Sequence, residues 1–127
     1  MNQIFKEVIR PPIPLSVNSW SPLVDIYEFG NEIIIKIDLP EVEQKNIQVN
    51  IEGEQLIITG ERNLPIGVEQ EKFYRMERFY GVFLRHITLP HSIDQENINA
   101  DYKSGVLTIT MSKLAPRVAK QINVKVS

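Results

Sequence analysis

EIIIKIDLP, residues 32–40, is the stretch of sequence that sets the architecture. Its alternation places Ile33, Ile35, Ile37 and Leu39 on one face of an extended strand. Pro40 follows directly and ends the strand, because proline has no N–H to donate to a neighbouring strand. A strand with one continuous apolar face predicts a sheet that packs against a second layer.

Six further segments have the same strand character. Residues 47–52 (IQVNIE) place Ile47, Val49 and Ile51 on one face. The others are 24–29 (VDIYEF), 55–60 (QLIITG), 81–89 (GVFLRHITL), 97–103 (NINADYK) and 106–111 (VLTITM). The chain has 18 Ile and 11 Val but only 3 Ala, and β-branched residues favour strands over helices. Seven short strands separated by turn signals predict an all-β, antiparallel β-sandwich.

Length and composition narrow the class of protein. A chain of 127 residues is one domain, and the absence of cysteine excludes disulfides, thiolate metal sites and cysteine nucleophiles. It also fits a reducing compartment, so we expect a cytoplasmic protein. No apolar run reaches the roughly 18 residues of a transmembrane helix, so we expect no stable membrane insertion. The net charge of −2 argues against a nucleic-acid partner.

The charge is distributed unevenly along the chain. Residues 23–111 hold eight basic and fifteen acidic side chains, whereas residues 112–127 hold four basic side chains and no acidic one. An acidic body therefore carries a basic tail. Either the tail serves solubility, or it is attracted to another body of the same kind.

The sequence offers no catalytic or cofactor site. Its six glycines do not form a phosphate-binding loop. His86 and His91 are the only histidines, and no third ligand lies at a zinc-like spacing. Ser92 and Asp94 are close to His91 in sequence, but a catalytic triad is defined in space. We therefore expect no enzyme activity, no metal and no cofactor.

Two segments do not fit the strand pattern: one lies in the middle of the chain and the other at its start. Residues 61–79 are polar and long for a hairpin connection, and such loops are usually functional. Residues 1–20 form an N-terminal arm with an apolar stripe in its first part if that part is helical, and an isolated helix of about ten residues is marginal in water. We expect the arm to order only against its own body, a neighbour or a client. The stripe consists of Ile4, Phe5, Val8 and Ile9.

The C-terminal segment carries a second unpartnered apolar pattern. Ile122, Val124 and Val126 alternate with Asn123 and Lys125 after a polar, basic tether. This pattern is compatible with a last strand of the same sandwich. It is equally compatible with addition to an exposed edge on a neighbouring molecule.

Taken in order, seven short motifs resemble the small heat shock proteins, the alpha-crystallin-domain family. Glu41 and Ser104 stand where that family commonly has Gly and Asn, and neither position is expected to need a positive φ. The motifs are SWSPLVDIYE (19–28), DLPEV (38–42), GER (60–62), YRMERFYGVFLR (74–85), LPHSID (89–94), ADYKSGVL (100–107) and INV (122–124).

The resemblance implies an immunoglobulin-like sandwich over residues 21–112, with the arm at 1–20, a dimerisation loop at 61–79 and a C-terminal extension at 113–127. It is similar to the bacterial, archaeal and plant branch in which a loop strand, here about 73–78, crosses to pair near residues 23–27 of a partner. Arg85 falls at the family's dimer arginine, and it is equally compatible with an ordinary exposed strand arginine. The implied dimer interface is Phe73, Tyr74, Arg75, Glu77, Arg78 and Arg85.

The resemblance also implies how dimers assemble and what they do. The tail residues Ile122 and Val124 would dock in a groove of a neighbouring dimer, formed by Ile47, Val49, Ile51, Ile98 and Ala100. The implied function is that of an ATP-independent holdase, whose partners are further copies of the chain and unfolding client proteins. The arm and Trp20 would contact clients. A monomeric co-chaperone-type sandwich is the alternative, and the single Trp makes a carbohydrate-binding sandwich a weaker one.

Overall fold

The computed structural model describes residues 19–90, 92–114 and Val124, and it contains two four-stranded sheets. Single 3-10 turns lie at Gln44–Asn46 and Gln70–Lys72. In chain order the strands are β1 (Ser19–Trp20), β2 (Val24–Phe29), β3 (Glu32–Asp38), β4 (Ile47–Glu52), β5 (Gln55–Arg62), β6 (Gly81–Thr88), β7 (Ile93–Lys103) and β8 (Val106–Lys113).

One sheet has the order β1-β6-β5-β4 and the other has the order β2-β3-β8-β7. All neighbouring strands are antiparallel except β1 and β6, which are parallel. The all-β sandwich and its seven predicted strands are therefore confirmed. Within the described residues, the edge strands, which have a neighbour on one side only, are β1, β2, β4 and β7, and β1 is only two residues long.

The core lies between the two sheets and consists of the alternating residues that the sequence placed inward. Ile33, Ile35, Ile37 and Leu39 are fully buried. From the same sheet come Leu107, Ile109 and Met111, and the facing sheet contributes Leu56, Ile58, Phe83 and Ile87. Burying side chains of this size contributes roughly 1.5–3 kcal/mol each, so these rows supply most of the drive to fold.

Two strands differ from the sequence-based expectation. Ser19 and Trp20 form β1 beside Val82 and Phe83 of β6, so the sandwich begins two residues before the expected boundary at residue 21. Strand β7 begins at Ile93 instead of residue 97, with an irregularity in its register between Ile93 and Ile98.

The irregularity in β7 has a local cause. One carboxylate oxygen of Asp94 accepts from the Glu96 amide at 3.0 Å, and the other accepts from the Asn97 side-chain amide at 2.7 Å. Such Asx hydrogen bonds offer the backbone an alternative to regular ladder pairing. Because the run from Asp94 to Asn97 is entirely polar, it has no apolar alternation from which this part of β7 could be predicted.

The expectation that Glu41 and Ser104 need no positive φ is wrong. Glu41 has φ 61° and Ser104 has φ 53°, both in the left-handed region. That region costs non-glycine residues roughly 1–2 kcal/mol. Here the two turns are held together by surrounding contacts, since the Leu39 amide donates to the Gly105 carbonyl at 2.8 Å and the Tyr102 hydroxyl donates to the Leu39 carbonyl.

Position 60 in β5 needs a glycine, because other atoms come too close to its Cα to leave room for a side chain. A Cβ at this position would overlap the Asn46 carbonyl oxygen and would lie 2.8 Å from Cε2 of Phe83. Because one of these neighbours is backbone and the other is a fully buried ring, neither can move aside at low cost.

We expect Gly60→Ala to lower the free energy of unfolding by about 1–3 kcal/mol through overpacking. Chemical denaturation at one fixed protein concentration measures this. Gly53→Ala shows the cost of backbone strain without overpacking, because Gly53 has φ 61° and no atom lies within 4 Å of the added Cβ. A Gly60→Ala variant as stable as the wild type would contradict the steric explanation.

Candidate assembly surfaces

The edge strands β4 and β7 carry apolar residues that the core does not fully cover. Ile47, Val49 and Ile51 are half-buried on the inward face of β4, and Ile98 is half-buried on β7. All four pack against the central cluster. The structure therefore brings four of the five predicted groove residues to the margins of one core, with their outer sides accessible.

Ala100, the fifth predicted groove residue, is exposed. It lies on the same face of β7 as Ile98 and Tyr102, since side chains alternate along a strand, and it pairs with the fully buried Ile109. Its methyl group is smaller than the side chains of Ile98 and Tyr102 on either side of it in this row. Tyr102 belongs to the same row, and its i, i+2 spacing from Ala100 is the signal that would have added it to the predicted groove.

The C-terminal extension begins where β8 ends. The Leu114 amide donates to the Ser92 carbonyl at 2.9 Å, which holds the chain beside β7 at that point. Val124 is 85% exposed, so its side chain is not packed into this sandwich. Ile122 lies outside the described residues, as do the arm residues Ile4, Phe5, Val8 and Ile9.

A further edge strand with exposed apolar side chains is β2, which pairs only with β3. Only Val24 of this strand is even half-buried. Leu23 just before the strand and Phe29 at its end are 74% and 73% exposed, and Ile26 and Tyr27 are also exposed. A free strand edge bordered by apolar side chains is a template for pairing with another chain.

The loop after β5 places most of its predicted interface residues on the surface. Tyr74 is 95% exposed, and Arg75 forms an exposed ion pair with Glu77 at 3.0 Å. Residues 73–80 form no strand within this chain. Met76 is buried, so it holds this part of the loop against the body, a role that sequence reasoning missed.

Phe73 and Arg78 contact their own chain. Phe73 is half-buried and meets the ring of Tyr80 edge-on at 5.9 Å. The Arg78 guanidinium lies 2.9 Å from a carboxylate oxygen of Glu41 and donates to the Tyr80 hydroxyl at 3.2 Å. Arg78 is partly exposed, so this ion pair is worth at most about 1 kcal/mol.

Arg85 lies in β6 between Phe83 and Ile87, two buried residues on the same strand face. Its Cα pairs with that of the fully buried Ile58. The side chain is half-buried, so it is not the fully exposed arginine of the alternative reading. Its place in a dimer interface stays a prediction.

Trp20 is buried, being only 7% exposed, and this contradicts its predicted role as an accessible client-binding residue. Its ring stacks on Phe79 at 5.9 Å and packs against Phe83 at 5.2 Å. The cause is β1, which pairs with β6 and directs the indole into the end of the core.

Arg62 is the one charged residue among the described residues that is buried, at 5% exposure. Its guanidinium lies 4.6 Å from the Trp20 ring centroid. Burial lowers its pKa, and the nearby charge of Arg78 acts in the same direction; the group nevertheless stays protonated, as arginine does in proteins. The sequence alone identifies Arg62 only as part of the GER motif.

Within the described residues, no group of three or more His, Cys, Asp or Glu side chains converges as a metal site would require. In that same part of the chain, no helix has the length and apolar character needed to cross a membrane. What the described surface does offer is two apolar margins, one along the edge strand β2 and one along the edge strands β4 and β7.

The family model for the Hsp20/alpha crystallin family matches residues 25–127. The chain therefore belongs to this family, the small heat shock proteins, which are chaperones and not enzymes. The resemblance stated from the motifs is confirmed.

Named relatives agree with this assignment. The chain is 33% identical over 125 residues to small heat shock protein C4 of Rickettsia felis, covering 97% of this chain and 77% of that protein. It is 39% identical over 103 residues to the spore protein SP21 of Stigmatella aurantiaca, covering 81% of this chain and only 61% of that relative.

Solved structures show the same fold. A small heat shock protein from Xylella fastidiosa, described as having a distinct high order structure, matches with a TM-score of 0.71 and 38% identity, over 84% of this chain and 97% of that one. Heat shock protein 16.0 from Schizosaccharomyces pombe matches with a TM-score of 0.70 and 31% identity, over 84% and 99% of the two chains.

Proposed function

We propose that this chain is an ATP-independent holdase that keeps unfolding proteins from aggregating, and that it works as an oligomer of strand-exchanged dimers in the cytoplasm. The observation that carries the proposal is the pair of uncovered apolar margins, one along β2 and one along β4 and β7. A monomer would leave both open, and exposed edges of this kind are aggregation hazards unless something covers them.

The loop of a second copy suits the edge of β2. Residues 73–78 form no strand within their own chain, and Tyr74 projects into solvent. Pairing this segment with β2 would satisfy backbone groups on both sides and cover Leu23, Ile26 and Tyr27. The loop also brings Arg75 and Arg78 towards a strand that carries Asp25 and Glu28.

The C-terminal extension suits the β4 and β7 margins. Burial of Ile122 and Val124 would contribute roughly 1.5–3 kcal/mol each, while ordering the tail and losing rigid-body freedom cost several kcal/mol. One contact is therefore weak, near the millimolar range. Many tails on one assembly add through effective concentration, so the oligomer persists while its parts exchange.

Exchange explains how a client gains access. Each release uncovers a groove of isoleucine and valine side chains, and an unfolding protein exposes apolar surface and strand edges of the same chemistry. The apolar arm residues Ile4, Phe5, Val8 and Ile9 would add to this surface. Client capture then needs no nucleotide, because it draws only on apolar burial and edge pairing.

We expect the double variant Ile122→Ala, Val124→Ala to shrink the assembly towards dimers, because the tail loses both of its apolar contacts. Multi-angle light scattering measures the mass. Ala100→Leu tests the same contact from the groove side and should also lower the mass, because the larger side chain would obstruct docking beside Ile98. Its control is Asn99→Leu on the opposite face of β7, and an unchanged mass for the tail variant would refute the docking.

We expect deletion of residues 70–78, or Arg78→Glu, to give monomers because the exchanged strand is lost or repelled. Sedimentation velocity distinguishes the two states. Glu41→Gln is the control for Arg78→Glu, since it removes the same intrachain ion pair but leaves the loop unchanged. Dimers that persist after the deletion would contradict strand exchange. A monomeric wild type would instead favour a co-chaperone-type module.

We expect the wild-type protein to suppress the light scattering of a heat-labile enzyme at a near-equal subunit ratio. Addition of ATP, or its removal by apyrase, should change nothing. An equal mass of a protein without chaperone activity controls for crowding. If the client scatters as strongly with the protein as without it, the holdase proposal is wrong.

A further inference from the structure

Three segments meet at the Arg62 side chain, which ends β5 where the loop begins. Its Nε donates to the Pro40 carbonyl at 2.9 Å, and its Nη1 donates to the Phe79 carbonyl at 2.8 Å. The Cζ atom of the guanidinium lies over the indole of Trp20, 4.6 Å from the ring centroid. One buried side chain therefore contacts the β3–β4 turn, the end of the loop and the first strand.

Trp20 reinforces the same junction. Its Nε1 donates to the Gly81 carbonyl at 3.1 Å, and its ring stacks almost parallel on Phe79, with 17° between the planes. Phe79 and Gly81 are the residues through which the loop returns to β6. The N-terminal strand and the returning loop are thus held by one cluster, Trp20–Arg62–Phe79.

An arginine suits this position because of its shape. Its N–H groups project in fixed directions from a planar group, so two separate carbonyls and an aromatic face can be engaged together. A lysine ammonium is a compact point charge without this fork. Burying a charged group is costly unless it is hydrogen-bonded, so an arginine buried here has a positional role that a leucine or methionine could not supply.

We propose that Arg62 is the positioning residue of the dimerisation loop and that the Trp20–Arg62–Phe79 cluster couples the loop to the start of the sandwich. This inference rests on the proposed strand exchange. Phe79 directly follows the exchanged segment 73–78, so fixing its carbonyl sets the direction in which that segment leaves the body. A loop anchored in this way loses less conformational freedom when it reaches a partner.

The test compares dimer dissociation constants by sedimentation velocity, in full-length chains that carry Ile122→Ala and Val124→Ala so that dimers are the largest species. We expect Arg62→Met to raise the constant at least tenfold and Arg62→Lys to raise it nearly as much. Ile58→Val is the control for general destabilisation, because Ile58 is buried in the core. It should lower the melting temperature and leave the constant within twofold.

Trp20 is the only tryptophan, so its fluorescence reports on the cluster directly. We expect Arg62→Met and Arg62→Lys to shift its emission to longer wavelength and to raise its quenching by acrylamide, whereas Ile58→Val should not. Trp20→Phe, which loses the indole N–H, should also raise the dissociation constant, and combining it with Arg62→Met should add little.

The outcomes separate this inference from the proposed function. If deletion of residues 70–78 leaves the dissociation constant unchanged, strand exchange fails, and the role of Arg62 falls with it. If the deletion abolishes dimers but the Arg62 variants behave like Ile58→Val, strand exchange stands and Arg62 is only a structural residue. Should Arg62→Met not fold, Arg62→Lys with Trp20→Phe gives the same decision.

Discussion

The structure depends on burial of two apolar sheet faces against each other, and that arrangement leaves its sides open. Ile35, Ile58, Phe83 and Ile109 are fully buried at the centre, whereas Ile47, Val49 and Ile98 at the margins are only half-buried. A closed barrel would have no such margins. Because neither sheet is closed within the described residues, the fold buries its centre and leaves apolar strand edges uncovered. In the proposed assembly each margin takes a different segment of another copy.

One turn brings together motifs that are far apart in sequence. The turn after β3 contains Leu39, Pro40 and Glu41; Arg62 donates to the Pro40 carbonyl and Tyr102 to the Leu39 carbonyl. A Cβ on Gly105, where φ is 78°, would lie 3.0 Å from the Pro40 Cα, so a side chain here would be crowded by the proline and strained by the left-handed backbone. The DLPEV, GER and ADYKSGVL motifs are thus parts of one packing unit, which is a physical reason why they occur together.

The alternation of apolar residues predicted the long strands, but it could not predict features that occur only once in the fold. Residues 33, 35, 37 and 39 alternate without interruption, so their strand and its buried face followed from the sequence alone. The two-residue β1 has no period to detect, and Asp94 to Asn97 are too polar to suggest a strand. The contacts of Arg62 join three segments that are far apart in sequence, so they could not be predicted without the fold. The left-handed conformation of Glu41 could not be predicted either, because the residue is neither Gly nor Asn.

The assembly surfaces show the same division between what the sequence can and cannot predict. Alternation identified Ile47, Val49 and Ile51 as one row, but only the fold shows that β4 and β7 are edges whose rows flank one core. Trp20 was the opposite case: a large aromatic residue next to an apolar arm suggested a surface for clients, and two hydrogen-bonded residues of β1 bury it instead. Its burial moves the expected client surface away from the core end and onto the margins, where the proposed coverage by other copies would be weak and reversible. In the proposed mechanism, stability and client access belong to different parts of the sandwich, and exchange at the margins would not require the core to open.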